Sequence, residues 1–334
     1  MSAPEDNLPP VQPPSASFLM QLFVVPLVIV VAIVMVSLMF NWLAHMGTKP
    51  EDLVTQLNKV NPGSWQKALT VANLLTDHKH EDLRRDPKLA EKVAELLEKE
   101  LEQGSADPER VKLRVYLTLA LGLFEVENGR ETLIKAATQQ KTPVDVEVRK
   151  TALETFARRA DFSPERCDLM RNDQELMQAV EQAAKASGES SEEREAANEL
   201  RLRAAYVLGV IGGDQALQLL TGLASDPEPL VRFNAATALA RLGERSAVPR
   251  LYEMLEIYQQ KNDDGSPRFD AVVQTSVISS AIRAIEKLAE QDQTIDRAEL
   301  ADAIQSVLDS PDISSDVRTG VEIDARTALQ HLGK

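Results

Sequence analysis

The stretch "SDPEPLVRFNAATALARLG" (Ser225–Gly243) opens on acids and prolines and then places alanine at many of its apolar positions. Alanine buries little area, so a helix built this way contributes little to an ordinary core. Arg232 also stands two residues into the apolar run. Both oddities resolve when the sequence is shifted by 31 residues. "LRLRAAYVLGVIGGDQALQLL" (Leu200–Leu220) then overlies "VRFNAATALARLGERSAVPRL" (Val231–Leu251). Arg201 falls on Arg232, Ala204 and Ala205 on Ala235 and Ala236, and Leu208 on Leu239. Gly212 falls on Gly243, Ala216 on Ala247 and Leu220 on Leu251. Such a fixed period marks a stacked repeat whose unit reads helix, glycine stop, short turn, second helix.

Looser copies flank these two. "LRVYLTLALG" (Leu113–Gly122) and "VRKTALETFA" (Val148–Ala157) match the first helix, with Arg114 and Arg149 at the arginine position. "AIRAIEKLA" (Ala281–Ala289) and "ARTALQHLG" (Ala325–Gly333) match its end without that arginine. "DPE" at Asp107 and Asp226, "SPE" at Ser163 and "SPD" at Ser310 read as N-caps followed by proline. In a stack, each helix touches its hairpin partner and both neighbouring units. Alanine lets those backbones approach, while leucine and valine fill the space between layers.

"DPEPLVRFNAATALARLGERSAVPRLYEML" resembles a HEAT repeat, in the short form of the bilin-lyase-like HEAT families. The resemblance implies a polar ladder inside the stack, with Asp226 pairing with Arg232. Glu195 takes the aspartate position opposite Arg201, while Pro143 and Pro108 occupy it for Arg149 and Arg114. It specifies a fold, and of activity it suggests only bilin-lyase-like chemistry.

At the other end of the chain, Phe23–Phe40 ("FVVPLVIVVAIVMVSLMF") has Ser37 as its one polar residue. About 20 apolar residues cross a bilayer core as a helix. Pro26 lies near the start and Trp42 near the far boundary, where an aromatic anchor belongs. A cleaved signal peptide needs a basic leader and a shorter apolar core. Residues 1–17 instead hold five prolines, Glu5 and Asp6, and no Lys or Arg. Lys49, Lys59 and Lys67 follow the segment. The excess of basic residues after the span favours the C-terminal part in the cytoplasm.

The fold expected is therefore all-α: an α-solenoid of HEAT-like helical hairpins preceded by one transmembrane helix. The divisions expected are a disordered Pro-rich tail (1–17), a transmembrane helix (18–44), a juxtamembrane linker (45–59) and the array (60–334).

Chemistry is harder to find. A net charge of −15 argues against nucleic-acid binding, which needs a basic footprint. Cys167 is the one cysteine, so no intrachain disulfide forms. It follows "SPER" in the first turn of a predicted helix, with no His nearby in sequence. "DHKHED" (Asp77–Asp82) carries His78 and His80 beside acids, yet His-x-His on a helix points to different faces. "GVIGG" (Gly209–Gly213) mimics a phosphate loop, but the repeat register makes Gly212 a helix stop. His331 reads as rim. "KASGESSEER" (Lys185–Arg194) reads as a polar link. "YQQKNDDGSPRFD" (Tyr258–Asp270) enlarges one loop, as a protein-contact element or a neutral insertion. No catalytic, cofactor-binding or metal residue is assigned, and the contact residues for a partner are left open. The expectation is a membrane-anchored, non-catalytic scaffold binding protein partners, or else an accessory or regulatory subunit of a membrane complex.

Overall fold

The computed structural model describes residues 16–45, 54, 61, 63–160 and 164–333. The chain divides into two units, Met1–Asp52 and Leu53–Lys334. The tail (1–17) and linker (45–59) of the sequence reading lie almost wholly outside the described residues.

The first unit holds α1 (Ala16–His45), 30 residues without a charged Asp, Glu, Lys or Arg. Every described side chain on it is exposed: Met20, Val24, Val25 and 27–39. Among the described residues, no helix is long and apolar enough to cross a membrane.

The second unit is helical, and its core is continuous from Val54 to Leu332. Seven first-position helices lie in a row: α2 (Ser64–Thr76), α4 (Pro108–Gly122), α6 (Asp145–Ala160), α9 (Ser191–Ile211), α11 (Pro229–Arg241), α13 (Ala271–Gln291) and α15 (Ser315–Leu332). Each packs on the next. The six second-position helices are α3 (Pro87–Gln103), α5 (Arg130–Thr138), α8 (Gln174–Ala184), α10 (Asp214–Leu223), α12 (Val248–Leu255) and α14 (Arg297–Asp309). One further helix, α7 (Pro164–Arg171), is inserted between α6 and α8. Among the described residues there is no strand, only a single antiparallel bridge between Lys261 and Pro267.

The alanines sit where the repeat register puts them. Ala235, Ala236 and Ala240 are fully buried, as are Ala204 and Ala205. Neighbouring first-position helices approach closely at glycine. A Cβ on Gly209 would lie 2.6 Å from the Ala238 Cβ, and one on Gly122 would lie 2.3 Å from the Thr155 Cβ. Leu208 and Leu239 are buried at equivalent places and fill the space between layers. Gly212, at φ 67°, closes α9, as the register requires.

Helix starts follow side-chain chemistry more closely than the Asp/Ser-Pro signals. Ser190 and Glu193 form a reciprocal capping box on α9, so the last four residues of the "polar link" are helix. Asp86, Asp173, Asp270, Asp296 and Ser314 each accept a backbone N–H of the following turn. Two expected caps are displaced. Asp226 lies ahead of α11, which begins at Pro229 behind Glu228, and Ser310 ends α14 rather than starting α15. In both places the proline belongs to a turn that precedes the helix.

Leu239 is 1% exposed in the middle of the row. Its replacement by alanine is expected to destabilise by about 2–5 kcal/mol. Glu244→Ala, in the turn after α11, is expected to change stability by less than about 0.5 kcal/mol. Equal effects in denaturant melts would refute the register.

Candidate interaction surface

The polar ladder is present but runs between units, not within them. The Asp226 carboxylate receives Arg201 of the preceding hairpin, with Nε to Oδ2 at 2.7 Å and Nη2 to Oδ1 at 3.1 Å. Arg232 donates instead to the Asp226 carbonyl at 2.7 Å and to Glu253 at 2.5 Å. The expected Asp226–Arg232 side-chain pair is therefore replaced by Asp226–Arg201, because the carboxylate turns back toward the earlier unit. Arg201 also takes the Ala186 carbonyl and the Asn198 amide oxygen rather than Glu195. Arg114 repeats the pattern, reaching Asp145 of the next hairpin at 3.3 Å. Asp145 also accepts the N–H groups of Lys141 and Thr142. Pro143 hid this rung from the sequence, since the acid stands two residues after the expected place. Arg114 is fully buried; burial pushes its guanidinium below the usual value, against Asp145 and Glu100.

Other arginines close the ends of helices. Arg149 donates to the Ala137 carbonyl, Arg250 to Ala224 and Arg318 to Ser310, each at or just past the end of a second-position helix. A cation there satisfies carbonyls that the helix leaves without a partner. Arg318 escaped the sequence reading, although "DVR" (Asp316–Arg318) repeats "EVR" (Glu147–Arg149) and "LVR" (Leu230–Arg232).

Another set of rungs lies at the opposite turns, and the sequence reading missed it altogether. Arg85 pairs with Glu125, Arg130 with Asp173 and Glu175, and Arg245 with Asp292. In each, an arginine at or near the turn between the two helices of one hairpin meets an acid before the second helix of a later one. Burial works against the Asp173 charge, but Arg130 and the Leu176 N–H outweigh it and hold the carboxyl below its usual range.

The other candidates of the sequence remain apart. His78 and His80 lie in a 3-10 turn, His78–His80. Among the described residues no group of three His, Cys, Asp or Glu is placed to hold a metal ion. Cys167 is half-buried, its thiol 3.2 Å from the Ala160 carbonyl. His331 is exposed and pairs with Glu286 at 2.7 Å. The loop 258–270 folds into a small exposed turn, with Gly265 at φ 80° and Asp264 accepting the Ser266 N–H.

One surface stands out chemically. Helix α11 has 13 residues, while its neighbours α9 and α13 have 21 each. Its outward positions carry short Asn234 and Thr237. A groove of about 420 Å³ lies over it, walled by Leu202 of α9 and by Val272, Val273 and Ser276 of α13. Phe233 and Met254 form the floor, almost wholly buried, while Val272 is 78% exposed. None of the lining side chains is charged. By contrast, the hollow between α5 and α8 carries Glu131, Lys135 and Glu175. The cleft at the α8–α9 turn carries Lys141, Arg149, Lys185 and Glu193.

Residues 191–260, the two most regular units, match the family model of HEAT repeats. No curated protein matches the chain. Among solved structures, the chain is similar to an engineered protein at 20% identity, covering 79% of this chain and 96% of that one, with a TM-score of 0.36. Human deoxyhypusine hydroxylase in complex with glycerol is similar at 17% identity over 80% and 97%, TM-score 0.28. YibA of Escherichia coli is similar at 16% identity over 85% and 97%, TM-score 0.30. The HEAT-like character of the second unit thus rests on the matched repeats and on the hairpin row itself.

A thermodynamic cycle separates the two readings of the ladder. Arg201→Met with Asp226→Asn is expected to show a coupling of about 1–3 kcal/mol in denaturant melts. Arg232→Met with Asp226→Asn is expected to be additive within about 0.5 kcal/mol, since Arg232 uses the backbone carbonyl. The reverse result would restore the within-unit pair. Asp173 gives a pH test: a depressed carboxyl contributes stability above its unfolded pKa and loses it as pH falls through the folded value. Asp173→Asn is therefore expected to melt below the parent at pH 7. The gap should close in melts taken below pH ~4.

Proposed function

We propose that this protein is a membrane-tethered, non-catalytic scaffold whose helical array binds another protein. One observation carries the reading: the chain holds, as separate units, an uncharged 30-residue helix and a repeat body with a core of its own. In the sequence of α1, the stretch Phe23–Phe40 has Ser37 as its one polar residue, which supports an anchor. Its exposed Val, Ile, Leu and Met side chains have no cover in water but a matching solvent in lipid. HEAT-like hairpins present extended surfaces suited to protein contact. Tethering would act by concentration, since a partner held at the membrane meets a binding surface confined to the same plane.

Lys49, Lys59 and Lys67 follow α1, and residues 1–15 carry no Lys or Arg, a bias that favours the array on the cytoplasmic side. The full chain is expected to stay with membranes in alkaline carbonate, while a chain beginning at Leu53 is released, folded and helical. Release of the full chain would remove the anchor. Protease added to intact cells with the outer envelope opened is expected to spare the array, and lysis to expose it. Digestion before lysis would reverse the orientation. Affinity capture from mildly solubilised membranes distinguishes the roles. A scaffold brings partners that depend on the array, whereas an integral subunit brings partners that survive its removal.

A further inference from the structure

We infer that the groove over α11 is a docking site for a helix of a partner protein, one with an uncharged apolar face and acidic residues at one end of that face. The inference rests on the reading that the array binds protein and is independent of the anchor.

The shape comes first. Two helices of 21 residues flank one of 13, and short side chains line the recess between them. A 13-residue helix is about 20 Å long, so an incoming helix of three to four turns would lie along α11 as an additional member of the row.

Chemistry narrows the occupant. Charged residues make up 27% of the chain, yet none lines this groove. Any charge placed at its centre would lose water without gaining a partner. Val272 at 78% exposure and the half-buried Leu202, Leu230 and Val273 offer apolar area that an apolar side chain would cover. Asn234, Thr237, Ser276 and Ser280 supply neutral hydrogen-bonding groups along the walls. A docked face with apolar residues at i, i+3 or i+4 and i+7 satisfies both.

The ends of the groove differ in sign. Arg241 lies one turn beyond Thr237, and Arg283 three residues beyond Ser280, both exposed and on the groove-facing side of their helices. Glu228 and Asp270 stand at the opposite end, ahead of α11 and α13. An occupant with Glu or Asp at the end meeting Arg241 and Arg283 is matched, and one with Lys or Arg there is opposed. Charge complementarity of this kind fixes register and direction.

The test uses the full chain, in lipid nanodiscs where the anchor requires them, and two fluorescent stapled helical peptides of 14 residues. Both carry leucine at i, i+3, i+7 and i+10; one has a Glu pair at the C-terminal end of that face and the other a Lys pair. The Glu peptide is expected to bind saturably, about tenfold more tightly than the Lys peptide. Val272→Asp is expected to weaken it by about tenfold or more. Arg241→Glu with Arg283→Glu is expected to invert the peptide preference, which a general loss of folding would not do. These residues are exposed, and circular dichroism melts check that the variants keep the parent fold. Hydrogen exchange with the Glu peptide bound is expected to protect 230–241 and 271–283. Absence of saturable binding, protection elsewhere, or an unchanged preference in the charge-reversed variant would overturn the proposal. If the peptide binds here but membranes yield no array-dependent partner, the scaffold reading fails and the groove stands. If a captured partner ignores Val272→Asp, the groove fails and the scaffold reading stands.

Discussion

An arginine that reaches past its own hairpin to an acid of the next is the contact on which the stack depends. Arg114 to Asp145 and Arg201 to Asp226 run along one edge, and Arg130 to Asp173 and Arg245 to Asp292 along the other. Apolar contact between helices is tolerant of sliding, because leucine and alanine surfaces match in several registers. A bidentate guanidinium–carboxylate pair, as at Arg201–Asp226 and Arg130–Asp173, is not, since both hydrogen bonds require one geometry. The rungs therefore fix how far each unit is advanced and rotated on the previous one. Buried ion pairs add little net stability against an apolar replacement, so their effect here is on register more than on energy.

Small residues set the spacing within which these rungs close. Gly209 against Ala238 and Gly122 against Thr155 bring first-position helices close together. The recess over α11 is lined by short Asn234 and Thr237, and Val272 on its wall is 78% exposed.

The repeat was legible because it depends on local signals at fixed spacing: alanine pairs, a glycine stop and an arginine two residues into the apolar run. Its partner choices were not. The sequence places Asp226 six residues before Arg232, and nearness in the chain suggested a pair, whereas the fold brings Arg201 to the same carboxylate from 25 residues away. Asp145 and Asp173 were overlooked for a related reason, since loop lengths vary and the acid drifts by a residue or two from unit to unit. The groove could not be read at all. It is formed by side chains of four helices, α9, α11, α12 and α13, which single-repeat alignment does not bring together.

The rungs are not evenly distributed. Where α6 meets α9, the charged contacts are Lys150 with Glu199 and Arg203 with Glu154, all partly open to water. Arg171 adds a hydrogen bond to the Ile211 carbonyl. Exposed pairs are screened by dissolved ions far more than enclosed ones, over a Debye length of about 8 Å at physiological ionic strength. Ionic strength thus acts unequally along the array, loosening its middle while the enclosed Arg114–Asp145 and Arg201–Asp226 rungs on either side keep their hold.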